Sequence, residues 1–194
     1  ARGNRRYFTI ASSPTEPHLH IGVRFYSEGS SFKQALAAMD NRSQLMASHL
    51  AGDFVLPRDA KQKMAFIAGG IGITPYRSMI KYLVDAKEKR DLTLLYSVTH
   101  PEDVAYRDVL DQARRDLGVK IVYAVADSKS VPSNWQGEVG VVDAAMIQRQ
   151  VPDYRERLFY ISGPPPMVEG IKKTLRGLGV HRRNIKTDFF PGYV

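Results

Sequence analysis

Gly69, Gly70 and Gly72 stand between an apolar run at 64–68 and the pair Thr74-Pro75. A strand that ends in glycines and turns at once into a helix exposes free backbone N–H groups and the positive end of a helix dipole, a combination that holds a phosphate. Glycine suits such a turn because a Cβ would keep a pyrophosphate from the backbone. Thr74 is a good N-cap and Pro75 suits the first helical position. Met79, Ile80, Leu83 and Val84 then mark one apolar helix face. A second constellation, Ser162-Gly163-Pro164-Pro165-Pro166-Met167, also follows an apolar run. His18, His20, His49, His100 and His181 show no metal-ligand spacing with carboxylates, so no metal site is expected. Glu102 and Asp143 read as helix-start residues, not as an acid–base pair.

The elements that must position these residues alternate from residue 64 onward. Strand-like segments at 64–68, 92–98, 120–125, 157–161 and 185–187 are interleaved with helical ones at 75–87, 102–117 (closed by Gly118), 143–149 and 165–178. Repeated βα units predict an α/β fold with a doubly wound parallel sheet. Ligands of such sheets sit at the carboxyl ends of the strands, so the turns at 69–72, 97–100, 126–128 and 162–166 should share one face. Residues 1–57 read as β-rich, with strands at 6–11, 19–26, 44–47 and 54–56, a turn at 13–17 and a short helix at 31–39. In the second of these strands Leu19, Ile21, Val23 and Phe25 should face inward. The expected organisation is a first unit at 1–57, a charged, proline-marked linker at 58–63 and a nucleotide-binding unit at 64–194.

The chain has 194 residues, enough for one large domain or two small ones, and its 43% hydrophobic and 25% charged residues are those of a soluble globular protein. No apolar run approaches the roughly 20 residues needed to span a bilayer. No secretory signal opens the chain, and a start at Ala1 suggests a piece of a longer protein. The absence of cysteine excludes disulfides, thiolate metal sites and cysteine nucleophiles. A net charge of +8 is compatible with nucleic acid, but no aromatic–basic interleaving or zinc spacing accompanies it. An anionic cofactor or an acidic protein partner accounts for the charge as well.

These motifs, in this order, resemble the ferredoxin–NADP reductase superfamily over nearly the whole chain. Arg6-Tyr7-Phe8-Thr9 is similar to the family's Arg-x-Tyr-Ser flavin motif. The resemblance implies that the run lines the flavin: Arg6 on its phosphate, Phe8 on the isoalloxazine ring, Thr9 near N5. Phe8 stands where tyrosine is commoner. Ser30 and Ser31 would meet the diphosphate at a helix start, and Gly22 and Val23 would approach the cofactor's sugar or adenine. Gly69, Gly70, Gly72, Thr74 and Pro75 match the family's Gly-Gly-x-Gly-x-Thr-Pro dinucleotide motif. Ser162, Gly163, Pro164 and Met167 match its Cys-Gly-Pro-x-x-Met motif with serine in place of cysteine, beside the nicotinamide C4. Phe190 would face the flavin ring. Ser97, Thr99 and Arg107, after the second sheet strand, would read the adenosine 2′ position and suit the 2′-phosphate of NADPH over NADH.

The resemblance implies an FAD-dependent (or FMN-dependent) NAD(P)H reductase that passes electrons to an iron–sulfur, haem or quinone-type acceptor. Thr9, Ser162 and Phe190 would lie closest to the hydride path. Family members carry three strands before the Arg-x-Tyr-Ser strand, so residues 1–57 are expected to be the C-terminal half of a flavin-binding antiparallel β-barrel. A different class of function is a non-catalytic dinucleotide-binding or regulatory module that has lost flavin. The basic residues Lys172, Lys173, Arg176, Arg182, Arg183 and Lys186 are expected to dock an acidic, ferredoxin-like electron-transfer partner. No nucleic-acid partner is expected. The expected location is the cytoplasm, or the cytoplasmic face of a membrane through an upstream anchor.

Overall fold

A computed structural model describes residues 6–25, 29–48 and 50–189. Six parallel strands, β1 (Met64–Gly69), β2 (Leu92–Val98), β3 (Lys120–Val125), β4 (Glu138–Val139), β5 (Leu158–Gly163) and β6 (Ile185–Phe189), form one sheet in the order β4-β3-β2-β1-β5-β6. The chain winds outward from β1 to β4, then returns to lay β5 against the other side of β1. The direction of winding therefore reverses between β1 and β5, and this is where doubly wound sheets open a crevice for ligands.

The strands alternate their side chains between two cores, as a period of two requires. Met64, Phe66, Ala68, Leu94, Tyr96 and Tyr160 pack beneath α2 (Thr74–Asp85) and α3 (Arg107–Leu117). Ala65, Ile67, Leu95, Phe159 and Ile161 pack beneath α4 (Ala144–Gln150) and α5 (Pro165–Gly177). With both faces covered, the central strands are buried along their length, which is why they read as continuous apolar runs. Asp143 caps α4 by accepting from the Met146 N–H at 2.8 Å. Gly118 ends α3 in the left-handed conformation, φ 73°.

The N-terminal segment differs from expectation. Among the described residues, 6–57 contain α1 (Ser31–Ala37) and a single antiparallel bridge, Ile10 to Ile21, but no strand. The inward face assigned to 19–26 is largely outward: Leu19 is 77%, Ile21 40% and Phe25 50% exposed. An alternating pattern needs neighbouring strands before it can become a sheet, and here it has one short contact.

Side chains, not strands, fasten this segment to the sheet domain. Arg77 of α2, 8% exposed, donates to the Ala11 carbonyl at 3.1 Å and forms a two-pronged ion pair with Glu16. Ser78 Oγ donates to the Ser12 carbonyl at 2.7 Å. Phe54 lies between Tyr76 and Tyr160, and Tyr160 donates to the Val55 carbonyl at 2.7 Å. Arg77 holds the Glu16 carboxyl at about 2, against an ordinary value of 4.5. A depressed carboxylate stabilises the fold fully above pH 4.5, and that stabilisation is lost as pH falls towards 2. Glu16→Gln leaves the Arg77 guanidinium without its counter-ion and should cost about 3 kcal/mol. Thermal melts should show a Tm lower by roughly 6–12 °C at neutral pH and a flatter decline on acidification. An unchanged Tm would show that the clamp contributes nothing.

No described helix is long and apolar enough to cross a membrane.

Candidate dinucleotide site

The two glycine-containing motifs meet at the carboxyl ends of β1 and β5. β1 ends at Gly69, and Gly70–Ile73 form a 3-10 turn that runs directly into α2. Thr74 is consequently the first residue of α2 and not its cap. Its Oγ1 donates back to the Ile71 carbonyl at 2.7 Å, and Pro75 sits in the first turn. Glycine has different causes at each position. A Cβ on Gly72 would fall on the Ser162 carbonyl, 2.5 Å from its carbon and 2.7 Å from Gly163 Cα. A Cβ on Gly69 would run into the Met167 sulfur and lie 3.2 Å from Pro164 Cδ. Gly163 is placed likewise, 3.2 Å from Gly69 Cα. These three glycines let the motifs interlock, with Met167 as the bolt. Of these four glycines Gly70, φ 52°, faces open space, and among the described residues beyond its chain neighbours its absent side chain has Arg24 Nη1 nearest, at 3.9 Å.

Gly69→Ala should therefore lower the Tm by roughly 3–9 °C through overpacking of about 1–3 kcal/mol. Because the obstructing atom ends a flexible side chain, adding Met167→Ala should recover most of that loss. Failure of the second substitution to rescue the first would reject the interlock.

Ser162 is fully buried, and its Oγ has no hydrogen-bond partner among the described residues. A buried hydroxyl without a partner costs free energy, so its retention marks a place where a ligand group can satisfy it. Ser162 pairs in register with Asp188 of β6, and Thr9 Oγ1 donates to Asp188 Oδ2 at 3.5 Å. Thr9, from the Arg6–Thr9 run, thus reaches the β6 residue that stands beside Ser162 of the second motif in backbone register. Phe190 lies outside the described residues.

Several expected cofactor contacts are engaged elsewhere. Phe8 stacks on Phe32 of α1 with centroids 6.1 Å apart, and the Arg6 guanidinium lies 5.2 Å from the same ring. Tyr7 is 89% exposed, and Val23 is half-buried. Ser30 caps α1, accepting from Lys33 N–H at 3.4 Å, and Ser31 is its exposed first residue. Gly22 lies against the sheet domain. Its absent Cβ would lie 2.6 Å from Tyr106 Oη, 2.8 Å from Thr74 Oγ1 and 3.1 Å from Ile71 Cδ1, so the glycine permits the N-terminal segment to approach α2 and the start of α3. Tyr106 occupies the left-handed region, φ 59°, rare for an aromatic residue.

At the ends of β2 and β3, Ser97 is half-buried and Thr99 exposed. Arg107 is committed away from them: Nη2 donates to the Pro101 carbonyl at 3.1 Å and the guanidinium lies 5.3 Å from the Tyr123 ring centre. An acidic residue, Asp127, stands beside Thr99. Asp127 N–H donates to the Thr99 carbonyl at 3.2 Å, and the Asp127 carboxylate accepts from Lys129 N–H and lies 3.7 Å from His100 Nδ1. Sequence reading missed Asp127, Arg24 and the Arg77–Glu16 clamp, whose roles arise only when distant segments meet. For Asp127 a signal existed, an acidic residue just past an apolar strand.

The basic residues are also differently placed. α5 leaves the crevice and runs back along the sheet for about 18 Å, so Arg176 near its end and Arg182 and Arg183 before β6 lie at the opposite end from Ser162. Lys172 pairs with Glu169 at 3.2 Å and Lys186 lies over the Tyr160 ring.

A parallel sheet with an open glycine turn and an orphaned hydroxyl flanking its switch point is the arrangement of a dinucleotide-binding domain. Residues 66–173 match the family model described as the oxidoreductase NAD-binding domain. The chain belongs to that family, within the ferredoxin–NADP reductase superfamily of flavin-dependent oxidoreductases. It is 29% identical over 178 residues to the glycine betaine monooxygenase reductase subunit of Chromohalobacter salexigens, covering 90% of this chain and 48% of that protein. It is 29% identical over 189 residues to NADH-cytochrome b5 reductase 1 of Ajellomyces capsulatus, covering 93% of this chain and 60% of that one. The crystal structure of the Amycolatopsis cytochrome P450 reductase GcoB has the same fold, with a TM-score of 0.78 at 23% identity over 97% of this chain and 57% of that one. The chain thus spans about half the length of the curated relatives it matches.

Proposed function

We propose that the chain is the dinucleotide-binding part, with a portion of the flavin-binding part, of a flavin-dependent NAD(P)H reductase. The observation that carries this reading is the hydrogen bond from Thr9 to Asp188, the register neighbour of Ser162, which brings the flavin-motif run beside the nicotinamide-motif strand. When bound, the dinucleotide supplies a hydride and the flavin accepts it and releases electrons singly. The chain's own residues do the positioning. The N–H groups of the Gly70–Ile73 turn and Arg24 suit the pyrophosphate, and Ser162 offers a buried hydroxyl to the nicotinamide end. Arg6, Thr9, Ser30 and Ser31 border the flavin's place. Phe8, stacked on Phe32 on one side, would offer its other face to the ring.

The adenosine end favours NADH over the NADPH expected from Ser97, Thr99 and Arg107. Asp127 would accept from a 2′-hydroxyl and repel a 2′-phosphate, while Arg107 is held on Tyr123. The partner is an electron-accepting protein, as the names of the reductase-subunit relatives suggest, and an acidic, ferredoxin-like one would complement the net charge. Its docking surface belongs near Thr9 and Asp188, not at Arg176, Arg182 and Arg183. We place the protein in the cytoplasm or at the cytoplasmic face of a membrane.

The test is NADH-dependent reduction of ferricyanide by the purified chain with FAD added. Activity that requires FAD, with kcat/KM at least tenfold higher for NADH than NADPH and a ratio that narrows in Asp127→Ser, is the expected result. Tight ADP-ribose binding without any FAD-dependent turnover would instead assign a non-catalytic dinucleotide module.

A further inference from the structure

The space in front of Gly70 is bordered by a charge pair drawn from two distant parts of the chain. Arg24 comes from the N-terminal segment; its Nη1 lies 3.9 Å from where a Cβ on Gly70 would stand. Its Nη2 lies 3.4 Å from Asp103 Oδ1, in the loop that follows β2. Lys33 Nζ donates to the Arg24 backbone carbonyl at 2.6 Å, which anchors that stretch of chain. Asp103 is itself fixed, since its other oxygen accepts from the His100 N–H at 3.3 Å in a capping arrangement. The Arg24 and Asp103 side chains are 41% and 24% exposed, so the pair is open to water and sensitive to salt.

A diphosphate entering the open turn approaches the same guanidinium that Asp103 holds. We propose that Asp103 is a competing counter-ion: it occupies Arg24 in the resting protein and is displaced by the dinucleotide's phosphates, so this carboxylate sets how tightly, and how briefly, the dinucleotide is held. The proposal rests on the assignment of the Gly70 turn to the pyrophosphate. It deepens that assignment by naming a residue that weakens binding, which neither glycine motif contains. The chemistry is an exchange of one anion for another on a single cation. A phosphate and a carboxylate compete for the same fork of donors. A binding site tuned this way loses affinity and gains faster product release, because the leaving anion is replaced at once by a tethered one.

Binding of ADP-ribose, which carries the pyrophosphate without the redox group, is to be measured by calorimetry on the full chain at low and high salt. Asp103→Asn retains an oxygen for the His100 N–H and should tighten binding three- to tenfold at low salt, with a smaller gain at high salt. In an Arg24→Gln background the same substitution should change affinity by less than about 1.5-fold, because the competition has lost its object. An equal gain in both backgrounds would show a general field effect and overturn the exchange. So would unchanged or weaker binding by Asp103→Asn alone. Gly70→Asp separates this from the underlying reading. Aspartate tolerates the left-handed backbone, so the variant should keep its Tm yet lose ADP-ribose binding by more than a hundredfold. If Gly70→Asp binds ADP-ribose as the parent does, the turn is not the phosphate site, and the proposal falls with it.

Discussion

Gly72→Ala should cost the protein stability and dinucleotide affinity together, and more of both than any other single methyl group added to the glycine turn. The added Cβ meets backbone, not a movable side-chain end: the Ser162 carbonyl and Gly163 Cα. Relief requires the end of β5 to move away from the turn after β1. Overpacking a well-packed site costs about 1–3 kcal/mol when side chains can yield, and backbone obstruction belongs at or above the upper end of that range. A Tm lower by roughly 6–12 °C is expected. ADP-ribose affinity should fall more than tenfold, about 1.4 kcal/mol, because the turn and the Ser162 strand end would no longer share their present spacing. The contrast with Gly70→Asp, which should lose affinity alone, separates the two uses of glycine. If Gly72→Ala melts and binds as the parent does, the close approach of the two motifs is not a feature of the protein in solution.

That contrast also marks what sequence could and could not convey. Five of the six strands were legible to within two residues, since burial on both faces demands the largely apolar runs seen at Met64–Gly69 and Leu92–Val98; the two-residue β4 (Glu138–Val139) is too short to leave such a run. The order of the motifs conveyed the site's location, because strand ends of a doubly wound sheet share one face. The reason for each glycine was not legible. Gly69, Gly72 and Gly163 look like phosphate glycines in a line of text, and only the approach of β5 to β1 shows them to be contact points. Thr74 failed as a cap for a related reason: the 3-10 turn starting at Gly70 already occupies the place where a capping residue would stand. The N-terminal strands were legible as a pattern but not as structure, because among the described residues the pairing stops at the one bridge from Ile10 to Ile21 and leaves Leu19 and Phe25 exposed. Arg77, to which the sequence assigns no role, clamps Glu16 through an approach spanning distant segments.

Ser162→Ala should make the protein more stable and a worse reductase. Its hydroxyl is sealed from solvent and has no partner among the described residues, so the unliganded fold carries an unsatisfied polar group. Removing such a group recovers about 1–2 kcal/mol, while the added void is no larger than one oxygen. The Tm of the dinucleotide-free protein should rise by roughly 2–6 °C. The same residue stands near the end of the strand beside which the nicotinamide is proposed to lie, in register with Asp188, to which Thr9 donates. Loss of one preorganised donor to a reacting group typically costs on the order of a hundredfold in rate. The rate of flavin reduction by NADH, followed in a stopped-flow instrument, should therefore fall tenfold to a hundredfold while the affinity for ADP-ribose, which lacks the nicotinamide, stays within about twofold. This opposite movement of stability and rate is the signature of a residue kept for its ligand and not for the fold. A lower Tm would mean that the hydroxyl has a partner in the free protein. An unchanged reduction rate would remove Ser162 from the hydride path and leave it as a small residue that lets Gly72 approach.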